Sequence, residues 1–178
     1  TYEWFDYAER CARKDKMHKR RDIIEFHKKY NTPEKRMDAL MAIVESIRDR
    51  TYASSEVMRM ERYTGGKWRV ICTVNYYPDR IVHFAVFNII KDRLSKTFIK
   101  DMYSYDKGIL ELTYNIRGVI ESWDSSLPIK ILSIDIRKFY DSMCIEILLA
   151  QLRGLIKDRT LLWIIEEILR SHGNVVIG

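Results

Sequence analysis

The 178 residues predict an α+β fold, and three observations carry that prediction. Two strand-like runs, 57–64 and 67–73, are joined by Gly65-Gly66, a two-residue turn that suits a β-hairpin because both central positions tolerate positive φ. Residues 1–50 and 145–171 read as helices. Between these regions, residues 129–136 spell Ile-Lys-Ile-Leu-Ser-Ile-Asp-Ile, a β-branched run behind Pro128 with the pattern of a strand buried on both faces.

In chain order, the first 50 residues form a basic helical region, with Asn31-Thr32-Pro33-Glu34 as a turn and helix start. Its positive charge is concentrated in Arg13, Lys14, Lys16, Lys19, Arg20 and Arg21, followed by Lys28 and Lys29. Such a run is either a solvated helix face or a sequence-independent contact to an RNA backbone. The preceding Tyr2, Trp4, Phe5 and Tyr7 suit packing or base stacking.

Along the second hairpin strand, side chains alternate, so Lys67 and Arg69 share one face while Trp68 and Val70 share the other. The two cations are either solvated or placed to grip a triphosphate, a point charge beside a planar fork. Next, Pro78-Asp79-Arg80-Ile81-Val82-His83 opens a helix with Asp79 as its expected N-cap, and Val82, Val86, Ile89, Ile90 and Leu94 form its apolar stripe. The segment 97–108 ends in Lys107-Gly108, where the absence of a Cβ permits close backbone approach.

Asp135 is expected at the end of the 129–136 strand, where a carboxylate needs a partner. Two readings stay open for it: a Mg²⁺ ligand, or the cap of the next helix. Ile145, Leu148, Leu149, Leu152, Leu155 and Ile156 then follow helical spacing, with Asp141 or Ser142 available as N-cap. A last helix spans about 159–171, carries Leu161, Leu162, Ile165, Ile168 and Leu169 on its apolar side, and has Gly173 placed to end it.

Composition narrows the function classes. A 47% hydrophobic content supports a true core, and a net charge of +6 favours an anionic partner, most commonly nucleic acid. Apolar stretches fall short of the roughly 20 residues that cross a bilayer, so no membrane partner is expected. Cys11, Cys72 and Cys144 are scattered without metal spacing, which reads as reduced thiols in a cytoplasmic protein.

The phrase Asp135-Ile136-Arg137-Lys138-Phe139-Tyr140-Asp141-Ser142-Met143 resembles the first catalytic motif of reverse transcriptases, especially those of bacterial or phage retroelements, including diversity-generating ones, and of group II introns. Gly66-Lys67-Trp68-Arg69-Val70-Ile71 looks like their fingers hairpin, and Asp79 to His83 and the 97–108 segment resemble further fingers blocks. The likeness covers roughly residues 56–178. It implies a partial right-hand polymerase, with a helical region at 1–50, fingers at 51–128 and the start of the palm at 129–178. It also implies a nucleotidyltransferase that adds deoxyribonucleotides to a DNA or RNA primer on an RNA template, with two Mg²⁺ ions, or Mn²⁺, and an accessory protein as a further partner.

Carried over residue by residue, the resemblance makes Asp135 the catalytic metal ligand and the Ile136 carbonyl part of a metal site. Lys67, Arg69, Lys138, Phe139 and Tyr140 would bind the incoming nucleotide, with Tyr140 excluding a 2′-hydroxyl, although an ordinary core tyrosine is its plain alternative. Arg80, Lys107 and Gly108, with Arg13, Lys16, Lys19 and Arg20, would contact template RNA, and His83 would be structural or RNA-contacting. Two departures stand out. The block after Lys107-Gly108 has no second glycine in Ile109-Leu110-Glu111-Leu112, and Val176-Ile177-Gly178 places valine where the next motif has proline.

These residues contain no aromatic-x-Asp-Asp motif and begin with Thr1. A fragment of a longer enzyme, inactive alone, is therefore expected, with a split subunit or a decayed copy as alternatives. Two other functions remain open: an RNA-directed RNA polymerase, disfavoured because Tyr140 stands where such enzymes place a ribose-reading Asp, and a non-catalytic RNA-binding scaffold.

Overall fold

The computed structural model describes residues 3, 21–97, 102–103, 107–137, 139 and 142–171. Among them are six α-helices and one two-stranded antiparallel sheet, an α+β composition as expected. The elements are α1 (Arg21–Lys29), α2 (Pro33–Arg48), β1 (Met58–Thr64), β2 (Lys67–Thr73), α3 (Tyr77–Leu94), α4 (Gly108–Glu121), α5 (Ile145–Leu155) and α6 (Arg159–Ser171). They fall into two compact units, one within Thr1–Asp92 and Lys138–Gly178, the other Arg93–Arg137. The divisions between these units fall at 92 and 137.

The first unit has a packed core. Thr32 caps α2 by accepting a hydrogen bond from the Lys35 amide, and Pro33 takes the first helical turn, where its missing N–H costs nothing. After α2, Arg50 adopts a positive φ of 58° and the chain turns away. Tyr77, Ile81, Val82 and Ala85 of α3 are fully buried, and the Phe26 ring from α1 meets Tyr77 edge-on at 5.1 Å. Leu40 and Ile47 of α2, Ile145 and Leu149 of α5, and Leu161, Ile164 and Ile165 of α6 complete this interior. Of the expected α3 stripe, Val82, Val86 and Leu94 are buried, whereas Ile89 and Ile90 are half-buried.

Two expected caps differ. Helix α3 begins at Tyr77, so Asp79 lies inside its first turn. There its carboxylate accepts from the Tyr52 hydroxyl at 2.5 Å, from the Ser55 amide at 2.8 Å and from the Ser55 hydroxyl, fastening the segment after α2 to α3. Burial, followed by the bond to Asp79, pushes the Tyr52 phenol well above its ordinary range. Helix α5 takes Cys144 as its N-cap residue without a side-chain cap bond, while Ser142 donates to the Phe139 carbonyl. The other proposed cap, Asp141, and the expected helix stop, Gly173, lie outside the described residues. Helix α6 is capped by Asp158, which accepts from the amides of Thr160 and Leu161.

The largest correction concerns residues 129–136. They do not form a strand, and the apolar side chains of the run are open to solvent, with Ile131, Leu132 and Ile134 at 81%, 83% and 77% exposure. The physical reason is pairing: a strand needs a neighbour for its backbone N–H and C=O groups, and the sheet among the described residues consists of β1 and β2 alone. The rest of the second unit is similar. Helix α4 buries none of its residues and is held by local bonds, including Arg117 to Glu121 at 2.6 Å and Asn115 to the Tyr103 hydroxyl at 2.6 Å.

Candidate functional site

The best-defined candidate site is the β-hairpin. Gly65 and Gly66 adopt φ of 59° and 79°, the left-handed geometry that a two-residue turn requires of both central positions. That turn fixes the register, pairing Thr64 with Lys67, Tyr63 with Trp68 and Arg62 with Arg69. Directly opposed residues share a face, so Lys67 and Arg69 lie together as expected, and Arg62 joins them. All three are exposed, and none forms an ion pair among the described residues. The Arg69 guanidinium reaches over the turn, where a methyl at Gly65 would lie 3.8 Å from Nη2.

Opposed arginines repel each other and weaken a strand pair. The hairpin compensates on its other face, where Tyr63 and Trp68 pack edge to face at 5.5 Å. The result is a two-stranded arm with three cations on one face and no anion partner for them among the described residues. Such a face can hold a polyphosphate, with two planar forks and one ammonium meeting its oxygens. Arg62 was absent from the sequence-predicted set, yet its position was legible. A two-residue turn at 65–66 pairs 62 with 69 by counting alone.

The other predicted residues are dispersed. Asp135 and Ile136 belong to the second unit, where both are exposed in irregular chain. Asp135 is thus not at the end of a buried strand, and its partner requirement disappears with its burial. Among the described residues no group of three His, Cys, Asp or Glu side chains is placed to hold a metal ion. One exposed carboxylate is not by itself a two-ion site, which needs further oxygen ligands beside Asp135.

Phe139 is 44% exposed. Lys138 and Tyr140, like Arg13, Lys16, Lys19 and Arg20, lie outside the described residues. Arg80 is engaged internally. Its side chain is 15% exposed, pairs with Asp22 of α1 at 3.3 Å and lies over the Tyr77 ring, so it ties α1 to α3. Lys107 sits 3.9 Å from Glu111 and over the Tyr103 ring, and Gly108 starts α4 with φ of 73°, a conformation that favours glycine. His83 is half-buried on α3. No helix of the described residues is long and apolar enough to cross a membrane.

Comparison of the chain with protein-family models, with curated proteins and with solved structures finds no match in any of the three.

Proposed function

We propose that this chain supplies the fingers, and the beginning of the palm, of an RNA-directed DNA polymerase of the retroelement type. The observation that carries the reading is the hairpin: a Gly-Gly turn that brings Arg62, Lys67 and Arg69 onto one exposed face without carboxylate partners. In this role the three cations hold the triphosphate of an incoming deoxynucleotide, and Tyr140 discriminates its sugar. The Asp135 motif contributes one carboxylate to the catalytic centre. RNA template, primer and deoxyribonucleoside triphosphates are the partners of this reading.

The test is equilibrium binding of a fluorescent deoxynucleoside triphosphate to the full chain in EDTA, which reads the hairpin without metal. Lys67→Glu with Arg69→Glu should weaken binding by at least about tenfold per cation, because charge-assisted bonds contribute about 1.5–3 kcal/mol each. Unchanged binding would remove the reading's main support.

One observation favours a second reading, a polymerase-like scaffold that binds RNA without catalysis: Asp135 is exposed in irregular chain instead of standing at the end of a buried strand. The two readings part at Asp135→Ala in the protein as its host produces it. RNA-templated, metal-dependent DNA synthesis is abolished under the polymerase reading, while salt-dependent RNA binding is untouched under either.

A further inference from the structure

The first unit carries a second cationic feature that shares no residue with the hairpin. Where the end of α2 meets α5 and α6, the surface forms a concavity of about 560 Å³, within the range of roughly 300–1,000 Å³ typical of ligand sites. Arg50, Arg153, Lys157 and Arg159 line it. Its floor is apolar, from the buried Leu149 and Ile156, and the half-buried Trp163 stands in its wall.

Charge balance is what makes this concavity unusual. Glu166 is the carboxylate in its lining, and it is already shared by Arg153 at 3.7 Å and Arg170 at 2.9 Å. Arg50, Lys157 and Arg159 form no ion pair among the described residues. Three uncompensated cations around one hollow repel each other, and a bound anion relieves that repulsion. Arg50 is held there by the left-handed turn that ends α2, so its position follows from the backbone and not from its side chain alone.

We propose that this concavity binds a segment of single-stranded nucleic acid, with phosphates on Arg50, Lys157 and Arg159 and a base against Trp163. Three of the four cations are arginines, whose planar forks match phosphate oxygens, and an indole beside them supplies the stacking surface that single strands use. A purely acidic peptide such as polyglutamate would satisfy the charges but leave the indole and the apolar floor without a matching group. The proposal stands independently of the polymerase reading.

The test is fluorescence anisotropy of a labelled 12-nucleotide single-stranded RNA with the full chain, titrated across salt concentrations. Lys157→Glu with Arg159→Glu should weaken binding at least tenfold. It should also flatten the slope of log K against log salt by about 1.4, since each phosphate contact in a single strand contributes about 0.7. Lys35→Glu with Arg117→Glu makes the same change in net charge on exposed residues of α2 and α4 and should have less than a threefold effect. Trp163→Leu, which keeps apolar bulk, should weaken binding about fivefold or more without altering the salt slope. Circular dichroism melting verifies that each variant is folded, and Lys157→Gln with Arg159→Gln replaces any charge reversal that unfolds. Equal losses in groove and control variants, no loss in the groove variants, or equally tight and equally groove-dependent binding of polyglutamate would each overturn the proposal.

Discussion

The two compact units are both rich in apolar residues, but nearly all the buried ones belong to the first; Leu94 is the exception among the described residues. In the first unit Ile81, Val82, Leu149 and Ile156 are at 2% exposure or less. In the second, Ile109, Leu110, Ile131, Leu132 and Ile134 are each more than 70% exposed, although the residue types are the same. The difference teaches that an apolar pattern specifies an element only where the chain also supplies the facing surface. Helices α1, α2, α3, α5 and α6 have one another, whereas residues 129–136 have no strand beside them among the described residues.

The contrast can be broken or sharpened by substitution. The largest effect is expected at Ile81→Ala, which opens a cavity in the first unit and should cost about 2–5 kcal/mol in urea denaturation. A loss below about 1 kcal/mol would mean that this interior is as loosely held as the second unit.

An intermediate effect is expected at the Asp79 junction. Asp79→Ala leaves the half-buried donors of Tyr52 and Ser55 without their acceptor and should cost about 1–3 kcal/mol. The same junction has a pH signature with a definite sign. Because folding raises the Tyr52 pKa above its ordinary value of 10.0, the unfolded chain loses this proton first as pH rises. The stabilisation is therefore complete below pH 10 and declines progressively above it. Tyr52→Phe should show a shallower alkaline decline than the parent chain; parallel curves for the two proteins would contradict the assignment.

The smallest effect is expected at Leu132→Ser in the second unit, within about 0.5 kcal/mol of no change in urea denaturation, since an exposed side chain loses little when truncated. A cost above 1 kcal/mol would show that this run is covered in solution, and would bring the second unit closer to the first.

Much of the local structure was legible before any coordinates. The hairpin reads directly from Gly65-Gly66 and the flanking β-branched and aromatic runs, and α6 occupies the expected 159–171 because its apolar spacing is continuous. The α2 start at Thr32-Pro33 follows from capping chemistry alone. Helix α4 is also marked in the sequence: Ile109, Leu112, Ile116, Val119 and Ile120 repeat at helical spacing after Gly108. Site residues were less legible. Lys67 and Arg69 were placed on one face by strand alternation, but Arg80 looked like a surface cation until its pairing with Asp22 placed it inside.

What the sequence by itself determined are features that depend on neighbours a few residues away: turn geometry, strand alternation, helix caps and the cross-strand pairing that brings Arg62 to Arg69. These involve only backbone sterics and short-range hydrogen bonds, which a string of residues encodes completely. Tertiary structure alone decided that Asp79 fastens Tyr52 and Ser55, that Arg50 after α2, Arg153 of α5, Lys157 in the α5–α6 connection and Arg159 of α6 surround one hollow, and that 129–136 stays unpaired. Each of those outcomes depends on which distant segment arrives to accept a hydrogen bond, share a charge or cover an apolar side chain, and local sequence carries no record of that arrival.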